Sequence, residues 1–533
     1  MAAKRTFLDL FSGCGGFSLG FERAGFSCLA AIDFDANAIE TFRANSRTKG
    51  HVLHEDITKF PPAHLDKLLN GQEVDVIIGG PPCQGFSQAR QVDGANHGER
   101  LVEDARRHLY ENFLGYVAHF NPSVFVMENV LGITSAAGGK FFTRVQAEAR
   151  ALGYRVHGEE IRAWRFGVPQ KRIRQLIVGT RRELPIFVGS KLFRETHAAA
   201  GEERFGELLP NTTLWEAIGD LPPLAADEGT VERDYDLKRR EKHVARYGTH
   251  YLLEVLQVHK AKLLTGHVAR PHSARDLRDF ERLREGEHSA QALARGERLE
   301  FPYDRDNFKD RFTRQHRNQL CSTIVAHLSK DGLMFIHPTQ NRSLTLREAA
   351  RVQSFPDWFR FPESRTIGFR LIGNAVPPLV GQAVGKGVRR YLDAAKRTDR
   401  KQIEPIPKDE KEAIHWLLPL VDAAERRSLR QISNGDFKRG WYSIGFLLSD
   451  LHPDSASSNG SSIVERGSKL SLVEKLVPQI IMPAYEQSGW PVRLVPVAQE
   501  AQRRFTEGRL RSVEYYCSDA QIAGASCQRL RGH

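Results

Sequence analysis

One thiol of this chain sits where burial is hard to arrange. The stretch Gly79-Gly80-Pro81-Pro82-Cys83-Gln84-Gly85-Phe86-Ser87 follows an apolar run, Val74-Asp75-Val76-Ile77-Ile78, that reads as a buried strand. Two glycines and two prolines end that strand abruptly. Cys83 is left at its carboxyl end, where open α/β sheets place their ligands. Most thiols are inert and buried, and that reading stays open beside the nucleophilic one. A second apolar strand, Pro122 to Met127, runs into Glu128-Asn129-Val130 and sets a carboxyl at a neighbouring strand end. An exposed loop acid fits the same pattern. Arg172 and Arg174, in Phe166-Gly167-Val168-Pro169-Gln170-Lys171-Arg172-Ile173-Arg174, are two apart and share one face if the segment is extended; a solvated basic edge is the alternative. A carboxyl at one strand end beside a candidate thiol nucleophile on the neighbouring strand is an arrangement that suits catalysis.

The elements that would position these groups open with Thr6-Phe7-Leu8-Asp9-Leu10, a short strand. The turn Phe11-Ser12-Gly13-Cys14-Gly15-Gly16 and a helix from Phe17 to Ala24 follow. Strand, Gly-rich turn and helix begin a nucleotide-type α/β unit. The turn is not the dinucleotide fingerprint, because Ser18 stands where a third glycine is needed. Cys28 to Ile32 is a second strand ending in Asp33-Phe34-Asp35, and Asp33 lies twenty residues after Gly13. That spacing suits a carboxylate on ribose hydroxyls, with Phe34 against an adenine face; an N-cap for the helix Ala36 to Asn45 is the other reading of Asp33. His51 to Ile57 is a third strand, whose Asp56 suits an adenine amino group or a turn. Gln84 to Arg100 reads as a mobile loop over the site. Helices are expected at 104–120 and 140–152, and strands at 154–163 and 175–179.

A chain of 533 residues implies three or so domains, and 41% hydrophobic with 27% charged content is ordinary for a globular protein. No run approaches a membrane span, and the first residues lack a signal-peptide apolar region. Six scattered cysteines without CxxC spacing argue against a zinc site or disulfide framework and for a reducing, cytoplasmic setting. A net charge of +12 and a pI of 9.4 suit a polyanionic partner. Residues 1–181 form the expected catalytic and cofactor-binding domain. From 182 to 340 the strand–helix alternation gives way to charged, irregular sequence, expected to be a separate basic domain. Residues 341–396 return to the first domain with a helix at 343–353, a turn at 368–378 and a helix at 379–396. A charged linker at 397–412 precedes an extension, 413–533, in which no catalytic constellation is evident.

Six stretches in one order resemble the cytosine-5 DNA methyltransferase family: Asp9 to Gly16, Gly80 to Ser87, Glu128-Asn129-Val130, Gln170 to Arg174, Arg342 to Pro356 and Gly373-Asn374-Ala375-Val376. The resemblance implies an S-adenosylmethionine-dependent methyltransferase with a Rossmann-like α/β sheet, a separate target-recognition domain and a C-terminal extension. It implies double-stranded DNA as partner, no metal, and a bacterial modification enzyme of a restriction-modification system. It assigns Cys83 as nucleophile, Glu128 as the acid at cytosine N3, and Arg172 and Arg174 beside the base and the thiol. Phe11, Gly13, Gly15, Asp33, Phe34, Asp56, Ile57, Pro82, Asn374 and Val376 would line the cofactor pocket. Gln84, Ser87, Gln88, Arg90 and Gln170 would meet DNA, with Gln88 or Arg90 filling the gap left by an expelled cytosine.

Within that resemblance, a tRNA methyltransferase and a non-catalytic DNA-binding regulator are the alternatives. The RNA enzymes usually carry a Cys-Phe-Thr signature, whereas here Cys321, alone between 182 and 341, precedes Ser322-Thr323. Intact Cys83, Glu128 and paired arginines disfavour the regulator. The family offers no account of 413–533, which is expected to contact a protein partner or DNA.

Overall fold

The computed structural model describes residues 4–82, 109–132, 140–181, 184, 212–248, 250–300, 312–329, 332–397, 516–517 and 527–528. The chain divides into two compact units. One comprises Met1–Phe60, Arg162–Ile173 and Thr196–Lys386; the other comprises Pro61–Ile161, Arg174–Glu195 and Gly387–His533.

The first unit opens with β1 (Thr6–Leu10), α1 (Gly16–Arg23), β2 (Ser27–Asp33), α2 (Ala36–Asn45) and β3 (His51–His54). These strands are parallel in the order β3-β2-β1, the product of two strand–helix–strand crossovers. Phe7, Leu8 and Leu10 are fully buried, as expected of a strand covered on both faces. The second unit holds α3 (Pro62–Leu69), β4 (Val76–Gly79), α4 (Leu109–Phe120), β5 (Val124–Asn129), α5 (Lys140–Ala151), β6 (Tyr154–Arg162) and β7 (Ile173–Arg181). Its strand order is β4-β5-β7-β6, with β4 parallel and β7 antiparallel to β5. Val76, Ile77, Ile78, Val124, Phe125, Val126 and Met127 are all fully buried, so both strands are held on both faces.

The stretch expected to be irregular contains α6 (Leu214–Ile218), an antiparallel pair of β8 (Gly229–Arg233) and β9 (Leu264–Val268), between them α7 (Leu237–Tyr247), and then α8 (Ala274–Arg282) and α9 (Ser289–Ala294). Helix α10 (Leu346–Val352) follows, close to expectation. Residues 368–374, the first part of the turn expected at 368–378, lie instead in helix α11 (Arg365–Asn374). Its glycines stay helical because contact requires them: a Cβ on Gly373 would strike the backbone of Val325 and Ala326. Helix α12 (Pro378–Arg397) completes the series, with Pro378 at its first turn, where no N–H is needed. Leu214, Ile218, Leu252, Leu256, Leu346, Val352, Phe369 and Ile372 belong to one core that also takes in Cys14 and Ala38. A smaller core gathers Phe280, Leu283, Ala292, Leu299, Phe312 and Ile336. Among the described residues, no helix is long and apolar enough to cross a membrane.

Helix α10 is locked by buried ion pairs. Arg342 grips Glu348 with two bonds, 2.7 and 2.8 Å, while Arg351 binds both Asp220 and Asp357. Burial works upward on the Glu348 carboxyl, but Arg342 outweighs it and holds the carboxyl well below the usual range.

One buried acid lacks such a partner. Asp9 is fully buried, accepts the Ser18 hydroxyl at 2.6 Å, and has its pKa pushed up to about 7 by burial. A folded-state value above the unfolded one means that its contribution is complete below about pH 4. That contribution is lost as pH rises to about 7, on the order of 4 kcal/mol in all. Denaturant titrations of wild type and Asp9→Asn between pH 4 and 8 test this. The difference in stability between them should change steeply up to pH 7 and level off above it; a constant difference would show that Asp9 ionises freely in the folded chain.

Candidate active site

The end of β4 is set against the end of β5. The register pairs Gly79 with Met127, and a Cβ on Gly80 would lie 3.4 Å from Glu128 Oε2. Asn129 donates from Nδ2 to the Pro81 carbonyl at 3.3 Å, so the Pro81-Pro82 turn is tied to the residue after Glu128. In the antiparallel pair β5–β7, Glu128 faces Leu176. Arg174 is two residues from Leu176 and so lies on the same face, diagonal to Glu128. Its Nε donates to Glu128 Oε1 at 3.0 Å, with side-chain exposures of 18% and 12%. Burial lowers the Arg174 pKa, and Glu128 opposes that shift. The pair therefore holds a carboxyl in one orientation with little water around it.

Cys83 is one peptide bond beyond Pro82. It lies outside the described residues, as do Gln84, Ser87, Gln88 and Arg90, the loop 84–100 and nearly all of 398–533. Cys14, Cys28 and Cys321 are buried and free, and burial raises all three thiol pKa values, that of Cys14 to about 12. None of the three offers a thiolate near neutral pH.

The two guanidiniums of the Gln170–Arg174 motif serve different partners. Arg172 is buried and donates to the carbonyls of Ile324 (3.1 Å), Gly373 (3.1 Å) and Ala375 (3.0 Å). Gln170, assigned from sequence to DNA, is also fully buried. Its Nε2 donates to the Val352 carbonyl and to Gln353, and its Oε1 accepts from the Ile324 amide. Arg172 thus clamps the carbonyls on either side of Asn374, which is exposed. Val376 is buried, with its carbonyl against Gly16.

In the first unit the loop after β1 meets the end of β2. Asp33 accepts from the Gly13 amide at 2.8 Å on one oxygen and from the Asp35 amide at 2.9 Å on the other, with a smaller contribution from the Phe34 amide, and its carboxylate keeps acceptor capacity for a further donor. Asp35, not Asp33, caps α2 by accepting from Asn37 N. Arg370 on α11, a residue the sequence reading missed, pairs with Asp35. Only its position four residues before Asn374, on the same helix face, hints at it. Burial works upward on Asp35, yet the Arg370 bond outweighs it and keeps the carboxyl low.

The loop is strained: Phe11 has φ +60°, unusual for a side chain of that bulk, and Gly13 and Gly15 follow at +55° and +90°. A Cβ on Gly15 would lie 2.6 Å from the Phe42 ring, whereas one on Gly13 would meet nothing within 4 Å. Ser12 Oγ is buried with no hydrogen-bond partner among the described residues. Phe34 stands 68% exposed, its carbonyl fixed by His54 at 2.9 Å. Asp56 accepts from Thr58 N and Oγ1 at 3.0 and 2.7 Å, which makes it a turn residue with its carboxylate still half exposed; Ile57 beside it is buried. An open approach at Gly13, a carboxylate with spare acceptor capacity, an orphaned hydroxyl and an uncovered aromatic face fit a nucleoside-bearing cofactor such as S-adenosylmethionine.

A Gly-rich loop from the first strand and an acid ending the second define an α/β enzyme of the nucleotide-binding kind. The chain belongs to the C-5 cytosine-specific DNA methylase family, which it matches over residues 5–390. It is 33% identical over 411 residues to the type II methyltransferase M.DdeI of Desulfomicrobium norvegicum, covering 72% of this chain and 89% of that one. It is 32% identical over 388 residues to M1.HphI of Haemophilus parahaemolyticus, covering 72% and 86%. A crystal structure described as a candidate DNA modification methyltransferase encoded within an E. coli prophage superposes with a TM-score of 0.56. Its sequence identity is 26%, and the match spans 73% of this chain and 99% of that one. The protein is therefore a cytosine-5 DNA methyltransferase with the Rossmann-like fold of that family, whose methyl donor is S-adenosylmethionine.

Arg174→Gln tests the carboxyl–guanidinium pair. Loss of the fixed geometry should lower the methyl-transfer rate about 10²-fold, while the dissociation constant for S-adenosylmethionine, measured by calorimetry, stays within about twofold. A loss of cofactor affinity with an unchanged rate would place Arg174 in cofactor binding instead.

Proposed function

We propose that the protein methylates C5 of a cytosine swung out of duplex DNA, through a covalent bond between Cys83 and C6. The observation that carries this reading is the Glu128 carboxyl, held by Arg174 against Gly80, three residues before Cys83. Carbon 5 of cytosine is too weak a nucleophile to be alkylated unaided. The Cys83 thiolate adds at C6, and Glu128 gives a proton to N3, which takes up the electron density. The ring becomes an enamine with a nucleophilic C5. Bound S-adenosylmethionine supplies the electrophilic methyl group. Water takes the C5 proton as the Cys83 thiolate leaves, and N3 returns its proton to Glu128, which restores the neutral aromatic ring and the acid for the next turnover.

Asp33 accepts the ribose hydroxyls, Phe34 covers the adenine, and the amino terminus of α1 faces the cofactor carboxylate. Arg172 acts from within, by fixing the backbone on both sides of Asn374. A base inside a duplex cannot be reached from both faces, so it must leave the stack at a cost of a few kcal/mol. In this reading residues 182–340 recognise the target site and 84–100 close over the expelled base. Residues 413–533 serve a partner or DNA contact. The relatives are named type II methyltransferases, which supports a modification role beside a restriction enzyme, acting on genomic DNA in a bacterial cytoplasm.

Purified protein, duplex DNA and methyl-labelled S-adenosylmethionine, followed by hydrolysis to nucleosides, provide the test. The label should reside in 5-methylcytosine, and Cys83→Ser should reduce it at least about 10³-fold. Label in adenine, or full activity of the serine variant, would overturn the reading.

A further inference from the structure

Helix α7 carries an arrangement of charge that its own stability does not explain. Lys238, Lys242 and Arg246 are all exposed and four residues apart. Four residues advance about 6 Å along a helix, so the three cations form a ladder of about 12 Å on one side. Like charges at this spacing repel, and Lys238 also lies near the positive end of the helix dipole. Among the described residues, no ion pair joins any of the three to an acid.

The opposite side of the helix is fixed. Arg240 stacks on Tyr235 with its guanidinium 3.9 Å from the ring centre, and its Nε is 3.6 Å from Asp220. Tyr235 donates to Asp357 at 2.8 Å, and Arg351 binds both Asp220 and Asp357 from α10. His243 is buried so closely over α6 that a Cβ on Gly219 would lie 2.6 Å from its ring. The helix cannot roll without breaking these buried contacts. Its basic residues are thereby sorted, with Arg240 bound inward and the ladder held outward.

We propose that Lys238, Lys242 and Arg246 bind successive phosphates of one DNA strand and fix the enzyme on the duplex without reading its sequence. The inference rests on the DNA-methylating function proposed above. Phosphates recur every 3.4 Å of helix axis along a strand, so a 6 Å step spans one to two nucleotides, within reach of long flexible side chains. Contacts of this kind position a protein and carry no sequence information.

The test is salt dependence. Binding of the full chain to a random-sequence duplex is measured between 50 and 200 mM KCl for wild type, single Lys242→Gln, triple K238Q/K242Q/R246Q, and charge-preserving K238R/K242R/R246K. Each neutralised phosphate contributes about 0.9 to the slope of log K against log salt. The slope should therefore fall by about 1 in the single variant and by 2 to 3 in the triple, and return in the charge-preserving protein. Base-resolution mapping should find the same sequences methylated by all four. A wild-type protein with a steep slope that Lys242→Gln and the triple variant both retain would overturn the ladder. A wild-type protein that neither binds nor methylates duplex DNA would instead overturn the function on which it rests.

Discussion

The contact on which the site depends is the bond from Arg174 to Glu128. It follows from strand register. Glu128 faces Leu176 on the neighbouring strand, so the residue two before Leu176 must emerge on the same face. A slip of one residue in β7 would turn Arg174 to the other face and leave a carboxyl buried without its cation. The parallel neighbour β4 brings Gly80 to the same spot, so the Glu128 carboxyl sits close against the turn that leads to Cys83.

A second constraint lies in the first unit. Buried guanidiniums act there as internal struts. Arg172 collects three carbonyls, Arg342 grips Glu348, and Arg351 joins Asp220 to Asp357. Removing one member of such a set would strand its partner in the core, at a cost of about 3–5 kcal/mol for a buried pair. Through these struts α10, α11 and the Asn374 turn hold fixed positions. The Asp35–Arg370 pair then joins α11 to the turn that carries Asp33. Parts of the chain more than three hundred residues apart in sequence are thus joined directly.

The local features were legible in the sequence. Apolar runs marked β1, β2, β4 and β5, and the twenty-residue interval from Gly13 to Asp33 is realised as a direct bond. Asp35 rather than Asp33 as the helix cap differs by two positions, a distinction that turn chemistry leaves open. What the sequence could not show depends on distant partners. The burial of Arg172 and Gln170 needs carbonyls roughly 150 to 200 residues further on. In β7 the strand begins at Ile173, which separates Arg174 from an arginine two residues earlier that spacing alone would place beside it. Helix α11 was misread because glycine argues for a turn locally, while here close packing demands it. The charged stretch after residue 182 hid short helices whose apolar faces are small and whose core is shared with α10 and α11.

The central claim is a transient bond between one sulfur and a pyrimidine ring. Duplex DNA carrying 5-fluorocytosine tests it directly, because fluorine at C5 cannot leave as a proton does and the thiol stays attached after methylation. Incubated with S-adenosylmethionine and digested, the protein should yield one peptide linked to a methylated fluorinated nucleotide, with fragmentation placing the link at Cys83. Absence of a covalent species, or a link at any other residue, would contradict the account.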